Sequence, residues 1–140
     1  MSVEASLKWI GQTEIEVKFP KMESYKLSIE AAPELGGKGK APNPDRLVAA
    51  AVGGCLTLSL LMNLQALRLY PKELNTKVKA NVGPDERGLS RFKSIDVEIT
   101  PGFEGAIKKE SLKKVLDTFQ YFCTVTQSVR NGIPVNVIVK

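Results

Sequence analysis

Hydrophobic and polar residues alternate with a period of two towards both ends of this chain, and the pattern gives way to nearly unbroken apolar sequence before its middle. Ile15, Val17 and Phe19 alternate with charged residues, and so do Leu27 and Ile29, which predicts two strands with one buried face. Leu7 and Trp9 predict a strand ahead of them that turns back through Gly11-Gln12. Val78, Ala80 and Val82 repeat the pattern, as do Ile95, Val97 and Ile99, and Gly83-Pro84-Asp85-Glu86-Arg87-Gly88 between them reads as a hairpin loop. Val135, Val137 and Val139 predict a last strand.

Elsewhere the period lengthens. Ile107, Leu112, Val115, Leu116 and Phe119 recur at three- and four-residue steps and predict an amphipathic helix. A short helix follows, starting at Cys123-Thr124 and stopped by Asn131-Gly132. The run from Leu47 to Met62 is apolar on every side. Its helix starts with Asn43 as N-cap, Pro44 at the first helical position and Asp45 complementing the dipole, and extends to about Leu69, before Tyr70-Pro71. Residues 31–44, with Pro33, Gly36, Gly37, Gly39, Pro42 and Pro44, form a loop. The order is βββ-α-ββ-α-α-β. Grouped strands with hairpins predict an α+β fold, and 140 residues suit one domain over 1–140.

Composition narrows the function. The apolar run is short for a membrane span and is diluted by Gly53, Gly54, Thr57 and Ser59, so a buried helix is expected rather than a membrane one. Met1 to Gly11 has no apolar h-region, so no signal peptide is expected. A cytoplasmic, reducing location follows, in which two cysteines pack or do chemistry; a permanent disulfide would suit a hyperthermophile. The net charge of +5 is scattered, and Lys108, Lys109, Lys113 and Lys114 read as the solvated face of a helix. With no aromatic-basic motif, nucleic acid is not an expected partner. The loop Gly36-Gly37-Lys38-Gly39-Lys40 lacks the spacing of a phosphate-binding loop. There is no histidine, which excludes a Ser-His-Asp triad, a histidine base and a histidine-based zinc site; two cysteines do not complete one either. No metal and no cofactor are expected.

The chemistry must then rest on Cys, Asp/Glu, Lys/Arg or Tyr. Cys55 lies about ten residues into its helix, beyond reach of the N-terminal dipole, and a reactive thiolate there needs a nearby cation. Inert packing is the competing reading. Gly53 and Gly54 each cost about 1 kcal/mol relative to Ala in a helix, which points to a close approach by a neighbour, plain helix packing included. Cys123 falls at a helix N-terminus, where amide dipoles stabilise a thiolate, and Thr124 and Thr126 offer hydroxyl partners. Local physics makes Cys123 the easier thiolate. There is no CxxC, so the two cysteines can pair only if the fold brings them together.

Together these segments resemble a known family. Pro33-Glu34-Leu35-Gly36-Gly37-Lys38-Gly39, Pro42-Asn43-Pro44-Asp45-Arg46-Leu47, Ala49-Ala50-Ala51 and Gly53-Gly54-Cys55 are similar to the OsmC/Ohr family, the osmotically inducible and organic hydroperoxide resistance proteins. Cys123-Thr124-Val125-Thr126-Gln127 resembles its second cysteine motif, usually Cys-Pro-Val-Ser. The resemblance implies antiparallel sheets around long central helices, an intertwined homodimer, and a cysteine-based peroxidase of organic hydroperoxides. By that pattern Cys55 attacks the O–O bond, Cys123 resolves the sulfenic acid as a disulfide, and an external thiol or dithiol reduces it. Asp45 stands where the family usually has a glutamate. It lies about 15 Å along a straight helix from Cys55, so a bend or a partner chain would have to bring a carboxylate to the thiol. The chain departs from the pattern in its first hairpin, Trp9-Ile10-Gly11-Gln12-Thr13, which has no arginine; Lys8, Lys18 and Arg130 are the other cations near in sequence to that hairpin or to Cys123. The alternative is a non-peroxidatic dimer of the same fold that binds a small molecule or senses redox state.

Overall fold

The first alternating segments pair in the register their pattern requires. In the computed structural model, which describes residues 1–140, β1 (Ser6–Gly11), β2 (Glu14–Lys18) and β3 (Leu27–Ile29) form an antiparallel sheet in that order. Leu7 pairs with Val17 and Trp9 with Ile15, while Val17 and Ile15 pair onward with Leu27 and Ile29, so all six share a face. The β1–β2 turn takes Gln12 into left-handed backbone (φ 49°), and the Trp9 indole N–H closes it on the Gln12 carbonyl at 2.9 Å. Chain contacts divide the molecule into two units, Met1–Val48 and Ala49–Lys140, and this sheet belongs to the first.

The glycine- and proline-rich loop after β3 is organised by one carboxylate. Glu30, buried, accepts hydrogen bonds from the backbone N–H groups of Lys38 (3.1 Å), Ala41 (3.0 Å) and Lys40, while its own N–H donates to the Pro42 carbonyl. Gly37 packs directly on the Ala31 carbonyl, where any Cβ would collide with backbone. Hydrogen bonds from the Ala41 and Lys38 amides, opposed by desolvation and reinforced by the Lys40 and Gly39 amides, hold the Glu30 carboxyl below its ordinary range.

α1 (Pro44–Ala66) starts where the sequence places it, with the Asn43 side-chain oxygen accepting the Arg46 N–H at 3.1 Å. It stops three residues before the expected Leu69. Arg68 adopts left-handed backbone (φ 56°), and the Leu69 N–H reaches back to the Leu64 carbonyl at 2.9 Å. This closure ends the helix before the Tyr70-Pro71 restriction acts.

The second unit builds on a long hairpin. β4 (Glu73–Pro84) and β5 (Ser90–Gly102) pair antiparallel, with Val78 opposite Val97 and Ala80 opposite Ile95. The strands run further into the turn than the sequence pattern marks. Asp85 closes the remaining residues, its carboxylate accepting the N–H groups of Arg87 and Leu89, both at 2.9 Å. α1 lies against this hairpin at Gly53, where a Cβ would strike the Val78 side chain, and at Thr57, whose hydroxyl meets that of Thr76 at 2.6 Å. Gly54, by contrast, faces open space within the chain. The glycine pair is thus half explained by helix-on-sheet packing. Val52, Leu56, Leu60 and Leu64 from α1 form the core with Val115 and Phe119, contributed by α2 (Lys109–Thr118) and the 3-10 turn Phe119–Phe122 that follows it. α3 (Thr124–Asn131) ends at Gly132.

The last strand does not form. Residues 132–140 carry no regular structure, and Val135, Val137 and Val139 are 82%, 78% and 90% exposed. Alternation sets which face a strand would bury, but a strand exists only where another offers backbone partners, and no sheet edge in this chain pairs with the tail. The α+β class holds, in the order βββ-α-ββ-α-α. α1 has the length and apolarity of a membrane-crossing helix, but its buried third is the core-forming face just described.

The Glu30 clasp yields a pH signature. A carboxyl held below its unfolded value contributes stability that is present at neutral pH and lost as pH falls through the lowered folded value. Thermal melts should show Glu30→Gln less stable than the parent at neutral pH, with the difference shrinking as both are taken into acid. A constant difference at every pH would count against the clasp.

Candidate active site

The two thiols reach their positions by different local rules. Cys55 is one turn inside the core-forming stretch of α1, between exposed Gly54 and buried Leu56, and is therefore half-buried. Cys123 is the N-cap of α3. The 3-10 turn before it delivers its N–H to the Gln120 carbonyl (3.2 Å), its own carbonyl accepts the Gln127 N–H (3.0 Å), and its sulfur accepts the Thr126 N–H at 3.4 Å. The Thr126 hydroxyl lies 3.1 Å from the same sulfur. Cys123 is 1% exposed.

A tie from α1 fixes this turn. The buried Ser59 hydroxyl donates to the Phe119 carbonyl at 2.6 Å, and the Gln127 side chain donates to the Gln120 carbonyl at 3.0 Å. Ser59 sits one helical turn beyond Cys55, so the same helix carries one thiol and anchors the turn that carries the other. Sequence reasoning treated Ser59 only as a dilution of an apolar run. The signal was its placement: a hydroxyl in an otherwise apolar helix needs a partner when buried.

The fold brings both sulfurs together as free thiols, Cys55 packing on the cluster that contains Cys123. Burial pushes the Cys55 thiol up, and the hydrogen bond and charge of Cys123 raise it further; the amides of Val125 and Thr126 pull weakly the other way. Burial also opposes the Cys123 thiolate, but hydrogen bonds from the Cys55 thiol, the Thr126 hydroxyl and amide, and the Val125 amide outweigh it and bring Cys123 below its ordinary value. Acidity and exposure are therefore split: the accessible sulfur is the weaker acid.

The other candidates lie elsewhere. Asp45 is exposed on the first turn of the unbroken α1, ten residues before Cys55. Arg130 points its guanidinium to the Gln120 side-chain oxygen at 2.8 Å, and Lys18 pairs with Glu16 at 3.1 Å. No cluster of three or more metal-ligating side chains is present. Alongside the thiols an open apolar groove of about 770 Å³ runs between α1, the hairpin and the C-terminal helices, walled by Leu56, Leu60, Ile95, Val97 and Phe119. Thr126 belongs to its lining as well as to the Cys123 hydrogen bonds.

The sequence profile of the OsmC-like protein family matches residues 37–138, which include both cysteine segments and Asp45. The chain belongs to the OsmC-like family. Solved OsmC-like structures share its fold. An OsmC-like protein of unknown function from Vibrio cholerae superposes with a TM-score of 0.74 at 13% identity, covering 91% of this chain and 93% of that one. An organic hydroperoxide resistance protein OsmC from Legionella pneumophila gives 0.66 at 19% identity, with 93% and 90% covered. The organic hydroperoxide resistance protein OhrB of Bacillus subtilis gives 0.67 at 13%, with 94% and 93% covered. No curated protein matches the chain in sequence.

Ser59→Ala tests the tie between the two halves of this OsmC-like site. Leaving the Phe119 carbonyl buried without its donor should cost about 1–3 kcal/mol of unfolding free energy in denaturant titrations. A loss below a few tenths would show that the turn carrying Cys123 is held by other contacts.

Proposed function

We propose that this OsmC-like protein is a thiol-dependent peroxidase of organic hydroperoxides. The observation that carries the proposal is the pair of free thiols acting on one another, one half-buried and one fully buried, beside an apolar groove. Cys55 is the attacking sulfur, because the fully enclosed Cys123 offers no approach to an incoming O–O bond. Attack leaves a sulfenic acid on Cys55 and releases an alcohol. Cys123 then condenses with it to a disulfide and water, and an external thiol or dithiol restores both thiols. The apolar groove favours an organic hydroperoxide over hydrogen peroxide. A reducing compartment, the cytoplasm, supplies the reductant.

The working unit is a homodimer of one OsmC-like domain per chain. Ala51, Gly54, Leu58 and Met62 line one exposed, charge-free face of α1, and the alternating tail from Ile133 to Val139 is apolar and unpaired. A second copy covers the helix face and gives the tail a sheet edge to join. Asp45, too far along α1 to serve its own Cys55, belongs in this reading to the partner's site.

The second reading is a non-peroxidatic dimer that binds a small molecule or senses redox state. It is favoured by the raised Cys55 thiol and by the absence of an arginine from the first hairpin, since a cation beside the attacking sulfur would favour its thiolate.

Two measurements test the proposal. One equivalent of an alkyl hydroperoxide should consume both thiols of one chain, leaving an intramolecular Cys55–Cys123 disulfide by mass spectrometry, and Cys55→Ser should abolish hydroperoxide consumption. A Cys55→Ser protein consuming peroxide at the parent rate removes the mechanism. Sedimentation should give a dimer at micromolar concentration, shifted towards monomer by Leu58→Lys. A parent protein that sediments as a stable monomer refutes the dimer.

A further inference from the structure

The attacking thiol of the proposed peroxidase faces a physical difficulty. Cys55 has no charged neighbour to make it a thiolate. On α1 the charged residues are Asp45 and Arg46 in the first turn, and Arg68 beyond the end. The hairpin face turned to α1 presents Thr76, Val78, Ala80, Ile95, Val97 and Ile99, while Lys77, Lys79, Asp96 and Glu98 are exposed on the other. α2 and the turn after it contribute Val115 and Phe119 to the core. On α3 the one charge, Arg130, is exposed and hydrogen-bonded to Gln120. Lys93 lies at the groove, also exposed. The titratable group that acts on Cys55 is Cys123.

Cys123 is built to hold a negative charge without any cation. Its sulfur caps α3, facing the Thr126 N–H at 3.4 Å and the Thr126 hydroxyl at 3.1 Å, in a position sealed from water where such donors act at full strength. We propose that Cys123 is the base that activates Cys55, so that the sulfur which later resolves the sulfenic acid first serves as proton carrier for the attack. This role rests on the peroxidase reading of the pair. The resting site is Cys55–SH beside Cys123–S⁻. As a hydroperoxide ROOH meets Cys55, the S–H bond breaks and its proton passes to Cys123. The Cys55 sulfur bonds the outer oxygen while the O–O bond breaks, and RO⁻ leaves with the electron pair. RO⁻ takes the proton from Cys123–SH and becomes ROH, which restores Cys123–S⁻. That thiolate then attacks the Cys55 sulfenic sulfur; hydroxide leaves and takes a proton from solvent to become water. Cys55–SH, Cys123–S⁻, ROOH and one proton thus become the disulfide, ROH and water. Two electrons pass from the thiols to the hydroperoxide.

Serine is itself a good N-cap, so Cys123→Ser keeps the start of α3 while removing the base. Thr126→Val keeps the sulfur and removes one of its donors. Thiolate ultraviolet absorbance followed against pH tests the pair without peroxide. The parent should show one thiolate forming below the ordinary cysteine range; it should vanish in Cys123→Ser and move to higher pH in both Thr126→Val and Cys55→Ser. A low-pH thiolate that persists in Cys123→Ser overturns the proposal. Single-turnover trapping of the Cys55 sulfenic acid tests the chemistry. At neutral pH its formation should fall about 100-fold in Cys123→Ser, the scale of a lost acid–base group, and recover as pH rises. Formation at the parent rate leaves the peroxidase reading intact and overturns the role of Cys123 as base. If the parent does not react with hydroperoxide, the peroxidase reading falls, and the absorbance titration still decides whether the thiols share one proton.

Discussion

A helix that is apolar on every side has to be covered on every side, and the architecture of the second unit follows from that constraint on α1. One face meets the hairpin so closely that residue 53 must be glycine, because Val78 occupies the place of a Cβ. The adjoining face, through Leu56, Leu60 and Leu64, carries Val115 and Phe119. At about 25 cal/mol per Å² of apolar area, such burial is the dominant stabilising term in a unit of this size. It also positions the site. Cys55 is at the margin of this covered face, and the Ser59 hydroxyl holds the turn that leads into Cys123. A side chain that moved Ser59 would displace one thiol relative to the other.

Much of this was legible from residue order because it depends on local rules. Asn43-Pro44-Asp45 starts a helix by capping and by proline's fixed φ, and the Asn43 side chain does accept the Arg46 N–H. Cys123 was readable as a helix N-terminal residue, and with it the hydroxyl of Thr126 as a partner. The pairing of Val78 with Val97 follows from alternation on either side of a turn marked by glycine and proline. The motifs quoted for the family also lie in segments that the family profile spans.

What could not be read depends on partners distant in sequence. Glu30 looked like an ordinary strand-end carboxylate, yet it organises a loop whose amides lie 8 to 11 residues further on. Ser59 reaches across 60 residues to Phe119. The tail shows the reverse case. Val135, Val137 and Val139 have the right alternation, and their sequence cannot specify the edge they need. Local pattern decides what a segment can be; the availability of a partner decides whether it becomes so.

The same separation of local and distant causes governs the thiols. One sulfur alone would have to be acidic enough to ionise and open enough to meet its substrate, and those demands conflict, because donors that stabilise a thiolate also enclose it. Here the demands fall on two residues. Local structure at the start of α3 makes Cys123 acidic and seals it; α1 leaves Cys55 half open and starved of donors. The less acidic sulfur is also the intrinsically stronger nucleophile once deprotonated, since nucleophilicity falls with pKa. A low thiolate population at Cys55 is therefore compatible with attack if the proton has somewhere to go at that moment, and Cys123 is the group placed to receive it. An arginine in the first hairpin would have answered the same need by electrostatic attraction. Without one, the burden of activating Cys55 shifts from a fixed charge to a movable proton, and the hydrogen bonds around Thr126 become part of the chemistry as well as of the fold.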